Sequence, residues 1–485
     1  MRLYTKKLMA LFFFILILLL VPTRSSTEDT EVRIWLTTPD QKHLLTPQHH
    51  KFFSNRQNGT NPVIAVDEKK EYQEMDGFGA AATGSSAYLI NQKMTADQRE
   101  NLLTDVFTSQ GIHMSYVRHT IGASDFSVDQ NGNPSSYTYD DIDSGTDYNL
   151  RAFSVAKDQD VMKLLKAIKK KNKEVGILGT PWTAPAWMKY DTPTTNGWYL
   201  DYTDKKVYQA YANYFVKYIK AYKKAGIPVN AITVQNEPGF TSPSYPSMSM
   251  GAEEQAMFIR DYLGPAFAKH EISTKIIAYD HNWKNGLSYA SEILKDHEAS
   301  TYTDGTAFHC YNGTPQAMSD VQQAFPEKNI YFTECSGGKW STDFGENLSW
   351  YMSNVIIGAP RNWAKTVLLW NLALDPNSAP FNGGCDNCRG MLTIDPDSGR
   401  YTKNTEYYAV GHISKFVRPG AVRIGSTEDK EIETVAFKNP DHSIVLVAAN
   451  TGHEPRFFTV KQDSKTFQYK LMGKSAVTFT WKPGL

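Results

Sequence analysis

The sequence predicts an α/β fold: a (β/α)8 barrel carrying an all-β sandwich side domain built from both chain ends. Three observations lead there. Short apolar or β-branched runs alternate eight times with amphipathic helical stretches through the middle of the chain. Both ends contain short strands separated by turn residues, without helical periodicity. The barrel-type strands end in polar and aromatic residues, and a barrel of this kind builds its active face at those ends.

The elements follow in chain order. Residues 1–26 read as a signal peptide, with Arg2, Lys6 and Lys7 ahead of an apolar run from Leu8 to Val21. That run is shorter than the roughly 20 residues a membrane span prefers. No A-x-A site marks a cut, so an uncleaved anchor stays the alternative, and no cysteine near the junction suggests a lipoprotein. Residues 31–70, with VRIWLTT and PVIAV, supply the first strands of the side domain. The barrel takes residues 71–415, with strands expected in MDGFGAAAT, MSYVRHTIG, EVGILGTPW, VNAITVQNE, TKIIAYDHNW, GTAFHCYNG, NIYFTECSG and KTVLLWNLA. Between them, Thr95-x-x-Gln98 has the form of a capping box opening a helix with Leu102, Leu103, Val106 and Phe107 inward. Val161, Leu164, Leu165 and Ile168 form a second apolar stripe. Val207, Tyr211, Tyr214, Tyr218 and Tyr222 form a third, ended by Gly226 before Pro228. Residues 416–485 hold the remaining strands of the side domain, in AVRIGS, ETVAFKN, SIVLVAAN, RFFTVKQ, FQYKLM and SAVTFTW.

Composition excludes some classes of function. The 485 residues carry 51 basic and 51 acidic side chains, so there is no electrostatic footprint for nucleic acid. The GFGAAATG run lacks the spacing and the following acidic residue of a dinucleotide fingerprint, which argues against an oxidoreductase on an open sheet. No cofactor is implied. Of the four cysteines, Cys385 and Cys388 could form a local disulfide in an exported protein. Cys310 and Cys335 adjoin His309 and Glu334 on expected strands, where neighbours point to opposite faces. They are read as buried inert thiols facing away from any site, and no metal centre is expected.

The strand ends collect Arg118, Asp125, Trp182, Asn236 with Glu237, His309 with Tyr311, Glu334, and Trp370. A single Glu at a strand end is more often structural. Two of them, closing the fourth and seventh strands, form the pair that glycoside hydrolysis requires. One must hold a proton for the leaving oxygen and the other must stay ionised to attack the sugar carbon. Glu237, shielded by Pro238 and an apolar strand, is expected to have a raised pKa and to act as acid/base. Glu334, within reach of Arg118 and Tyr311, is expected to stay charged as the nucleophile. Asn236 would donate to the sugar 2-hydroxyl, Asp125 would accept from hydroxyls at the far end of the ring, and Trp182 and Trp370 would offer aromatic faces.

In these residues the chain resembles the family 30 glycoside hydrolases, the glucosylceramidase (glucocerebrosidase-like) family. GFGAAATGSSA, VRHTIGASDFS, TPWTAPAWMK, TVQNEPGF, FHCYNG, YFTECSGG, LLWNLALDP and YYAVGHISKFVRPGA carry the resemblance in order, over roughly residues 70–485. It implies retention of anomeric configuration, Glu237 as acid/base, Glu334 as nucleophile, and Arg118, Asp125, Trp182, Asn236, Tyr311 and Trp370 at glucose-binding positions. Tyr245 matches an aromatic in the loop after strand four. The GGCDNCRG segment is more similar to the microbial β-1,6-glucanase branch than to the ceramidase branch, and Cys310 stands where the lysosomal enzymes have an aromatic. The expectation is therefore a secreted, cofactor-independent hydrolase of β-glucosides. Its substrate is glucosylceramide by the family name or β-1,6-glucan by the loop after strand eight, and Phe240, Tyr245 and Trp340 could serve either. No stable membrane span would remain after signal cleavage. A non-catalytic carbohydrate-binding protein is the rival reading, which loss of either glutamate would favour.

Overall fold

The computed structural model describes residues 30–55 and 61–483. The expected signal peptide lies outside the described residues. Eight parallel strands close into a barrel: Gly77–Ala81, Tyr116–Ile121, Gly176–Pro181, Ala231–Thr233, Lys275–Asn282, Thr303–His309, Asn329–Glu334 and Ala364–Leu369. Closure is made by the first strand pairing with the eighth, Gly77 opposite Thr366 through Ala80 opposite Leu369. The helix of residues Ala96–Phe107 opens on the capping box read from Thr95 and Gln98, and its buried residues are Leu102, Leu103, Val106 and Phe107. The Gln159–Lys171 helix buries Val161, Leu164, Leu165 and Ile168. In the Lys205–Lys224 helix all four tyrosines of the third stripe are buried with Val207.

Strand alternation organises the barrel interior. Tyr116, Leu178, Ala231, Ile277, Ala307, Tyr331 and Leu368, one from each strand but the first, form a separate apolar cluster. Two residues further along the same strands come Arg118, Thr180, Thr233, His309, Thr333 and Trp370, so the period of 2 places a polar and aromatic layer directly above an apolar plug. Strand five departs from this rhythm. Tyr279 and Asp280 both have φ of 70°, and the pairing with strand six shifts register between Tyr279 and His281. The shift turns Asp280, three residues after Ile277, into the polar layer.

The side domain is one nine-stranded sheet. Its order is Thr46–Phe52, Glu31–Thr37, Ser475–Trp481, Ile444–Asn450, Ile432–Lys438, Val422–Ser426, Val63–Glu74, Arg456–Gln462 and Lys465–Leu471. The sheet curls, since Phe467 near one edge lies 5.2 Å from Phe479 near the other. Ile34, Ile64, Leu446, Phe458, Phe467 and Phe479 share the resulting core. Ile444–Asn450 is buried along its whole length. Leu446 and Ala448 face the sandwich core while Val445, Val447 and Ala449 join the barrel core, so one strand cements both domains. His412 on the last barrel helix adds a polar tie, its ring nitrogens 2.9 Å from Thr478 Oγ1 and 2.8 Å from Thr37 Oγ1. Thr46–Phe52 was not foreseen: as an edge strand it carries the polar run TPQHHKF, which has no alternation to read.

The cysteines correct one expectation and bear out another. Cys385 and Cys388 are disulfide-bonded. Cys310 and Cys335, expected as inert thiols, are bonded to each other, with Cα atoms 5.2 Å apart. They do lie beside His309 and Glu334 on neighbouring strands six and seven, and that shared placement brings the sulfurs into contact. The bond closes a separation of 25 residues. Replacing both cysteines by serine should lower stability by about 3.5 kcal/mol on loop entropy alone, read as an earlier urea midpoint.

Candidate active site

The polar layer converges on a buried guanidinium. Arg118 donates through Nη1 to Glu334 Oε2, through Nη2 to Asn236 Oδ1 at 2.8 Å and Asp280 Oδ2 at 2.9 Å, and through Nε to Thr180 Oγ1 at 3.3 Å. Its central carbon, Cζ, lies 5.0 Å from the ring centre of Trp182 and 5.6 Å from that of Trp370. An unpaired charge at this depth would be costly, and here every branch of the fork has an acceptor. Burial pushes the Arg118 pKa down, but the charges of Asp280 and Glu334 more than offset it, so the guanidinium stays ionised.

Glu334 ends strand seven and accepts a second hydrogen bond from Tyr311 Oη, 2.9 Å to Oε1. Glu237 lies beyond the end of strand four. Its φ of 44° is left-handed, a conformation strained for a side chain of this size, and its amide donates to Asp280 O at 2.9 Å. His309 Nδ1 sits 3.1 Å from Glu237 Oε1 and 3.8 Å from Glu334 Oε1, so those two oxygens can be no more than about 7 Å apart. That bound admits the roughly 5 Å spacing of retaining glycosidases.

The protonation of Glu237 differs from the sequence expectation. Burial does push the carboxyl up, but the hydrogen bond and charge of His309, with His281 and Arg118 behind it, hold it below the usual range. The sequence reading saw Pro238 and the apolar strand; the decisive neighbour is 72 residues away. For His309, burial lowers the pKa, while Glu334 and then Asp280 raise it further, leaving it at about 9 against an ordinary 6.5. The imidazolium is bracketed by Glu237 on Nδ1 and Asp280, 3.0 Å away, on Nε2. A raised pKa means that this group stabilises the fold fully below pH 6.5, and that the contribution fades as pH climbs through about 9. The melting temperature of the wild type should therefore fall between pH 6.5 and 9.5 relative to that of His309→Gln.

Asp280 is the residue the sequence reading missed. It is completely buried, accepts from Arg118, from Thr233 Oγ1 at 2.7 Å and from Thr333 Oγ1 at 2.6 Å, and pairs with His309. Burial raises its pKa, but Arg118 and His309 hold it far below the carboxylate range. The signal was present as a lone Asp inside TKIIAYDHNW, but strict alternation would point it away from the barrel axis.

The remaining candidates line the same cavity. Trp182 and Trp370 are buried and stack on each other at 5.1 Å, so they form a floor and leave no slot for a sugar between them. Ala81, Phe126, Leu374 and Cys388 complete that apolar group, with Tyr245 packed against it. Asp125 stands at its edge. Its Oδ1 is buried without a hydrogen-bond partner, and burial followed by the charges of Glu334 and Glu237 pushes its pKa up. All ten residues singled out in the sequence thus gather at one end of the barrel. Glu237, His281 and His309 also present donor atoms within 4.8 Å of one another, but His309 is engaged at both nitrogens and holds its proton, unlike a metal ligand.

A closed parallel barrel with paired carboxylates at its mouth is an arrangement suited to O-glycosyl hydrolysis. The family model described as the glycosyl hydrolase family 30 TIM-barrel domain matches residues 75–417, and the family 30 beta sandwich domain matches residues 420–479. The chain belongs to glycosyl hydrolase family 30. It is 36% identical over 415 residues to endo-1,6-beta-D-glucanase neg1 of Aspergillus fumigatus, covering 81% of each chain. It is 28% identical over 447 residues to lysosomal acid glucosylceramidase of Mus musculus, covering 87% of this chain and 84% of the relative. Among solved structures, the endo-beta1,6-glucanase BT3312 superposes with a TM-score of 0.85 at 34% identity, covering 94% of this chain and all of that one.

Proposed function

We propose that the protein is an exported endo-β-1,6-glucanase that cleaves with retention through a glycosyl-enzyme. Glu334 attacks the anomeric carbon while the glycosidic oxygen leaves with a proton that His309 passes through Glu237. Water, giving its proton back through Glu237 to His309, then attacks the anomeric carbon and releases Glu334. The observation that carries this reading is the single nitrogen of His309 in reach of both carboxylates, with Arg118 and Tyr311 donating to Glu334. With His309 protonated, the proton for the leaving group is already stored beside Glu237. Esterifying Glu334 removes the largest of the charges that hold that proton. Asn236 accepts from Arg118 through Oδ1, so its amide nitrogen is left to donate to the sugar 2-hydroxyl. Asp125, with an unpartnered oxygen, accepts from a hydroxyl at the far end of the ring.

The choice of β-1,6-glucan rests on the names of the relatives at 33–36% identity and on the disulfide-closed loop at Cys385–Cys388, which packs beside Trp370. Glucosylceramide is the second reading, favoured by the mouse relative. Export is supported by the leader sequence and by two disulfides. The test is a product profile on β-1,6-glucan beside glucosylceramide. Short oligosaccharides from the glucan and no ceramide release is the expected result; the reverse pattern would reject the glucanase reading.

A further inference from the structure

We infer that the loop after barrel strand three carries a second carbohydrate contact, an aromatic shelf centred on Trp198 that holds glucose units of the chain distal to the bond being cut. This rests on the glucanase reading and assigns a role to residues outside the carboxylate site.

Four rings from this loop stack on one another. Trp198 lies on Tyr199 at 5.1 Å and 15°, Tyr199 on Tyr190 at 5.8 Å and 17°, and Tyr190 on Tyr202 at 5.0 Å and 26°. The stack is open to solvent, Trp198 being 42% and Tyr202 60% exposed. Four aromatic rings at a surface form an apolar patch of a kind that marks a binding site. The backbone is strained to present it: Trp198 has φ of 69°, a conformation that bulky residues rarely adopt.

The shelf is fastened to the loop after strand four, which borders the carboxylates. Gly197 N donates to Ser247 Oγ at 3.0 Å, and Ser249 N to Trp198 O at 2.8 Å. The buried ammonium of Lys189 donates to Gly197 O at 2.8 Å and Ser247 O at 3.4 Å. That second loop carries Tyr245, packed beside Trp182 and Trp370, and stacked on Tyr245 the exposed ring of Phe240. Tyr245 and Phe240, next to the floor of the site, thus sit on the same loop whose Ser247 and Ser249 hold the segment that presents Trp198. A β-glucan offers what such a surface recognises, pyranose faces of C–H bonds repeated along a chain and wet hydroxyls at the ring edges. The continuity with the catalytic mouth selects a bound substrate chain as the occupant.

The test compares a polymer with a substrate too short to reach the shelf. Trp198→Ala and Trp198→Phe are assayed on soluble β-1,6-glucan and on an aryl β-glucoside, and retardation in a gel containing the glucan is measured in parallel. Loss of one stacking contact should raise the polymer KM about three- to tenfold in Trp198→Ala, with the aryl glucoside constants unchanged, weaker retardation, and Trp198→Phe intermediate. Tyr202→Ala should shift the same way, which guards against a local collapse peculiar to Trp198. An unchanged polymer KM, or equal shifts on both substrates, would overturn the inference. A wild type that cleaves the aryl glucoside but not the glucan would instead sink the glucanase reading, and this assignment with it.

Discussion

Glu334→Ala is expected to abolish hydrolysis of an aryl β-glucoside, lowering kcat by about 10^4-fold or more, because under the proposed mechanism the glycosyl-enzyme would have no atom on which to form. The fold should survive the change. Arg118 keeps Asp280 and Asn236 as partners, so no buried charge is stranded. A loss of activity with a nearly unchanged melting temperature is the signature that separates a chemical role from a structural one. Added azide sharpens the test. The anion enters the space left by the carboxylate and attacks from the same side without a second displacement, so rescued turnover yields a product of inverted, α configuration. A rate equal to that of the wild type would dispose of the site assignment.

Arg118→Leu acts on stability and chemistry together. Asp280 and Glu334 would face each other in a dry layer without their shared cation, and breaking a buried pair in this way costs about 3–5 kcal/mol. Hydrolysis should fall at least as steeply as affinity, because Glu334 loses the donor that fixes its orientation. Arg118→Lys separates the two effects. A lysine restores one positive charge but not a planar fork reaching Glu334, Asn236, Asp280 and Thr180 at once. Stability should recover in part while kcat stays low. Denaturant midpoints and kcat measured on both variants check this. Full recovery of activity in the lysine variant would show that charge alone suffices.

Much of this site was legible because two local rules suffice to find it. Alternation within a strand and the chemistry of strand ends together select Arg118, His309 and Trp370, whereas Glu334 is found by its strand-end position alone, because a register shift between Phe332 and Glu334 takes it out of step with the inward Tyr331 and Thr333. Both rules fail where the backbone leaves its regular path. Asp280 was invisible because two consecutive residues at φ of 70° reverse the facing of strand five. Cys310 and Cys335 were correctly placed beside the two functional strand ends. The barrel reading already made strands six and seven neighbours; what spacing does not state is that the two sulfurs face each other just past the strand ends. The Trp198 shelf escaped for a related reason: GWYLDY reads as an ordinary loop until its three rings stack with Tyr190.

Period and composition, properties of neighbours in the chain, were enough to write down eight barrel strands, a β domain drawn from both ends and two glutamates at the mouth. They could not determine where protons sit. The placement of His309 between Glu237 and Asp280 inverts the pKa shift expected for Glu237, and that contact exists only once the barrel has closed. Interactions between charges about 3 Å apart in a dry interior outweigh the local burial that a sequence can display. Residues 72 and 29 positions apart come within that distance by folding alone.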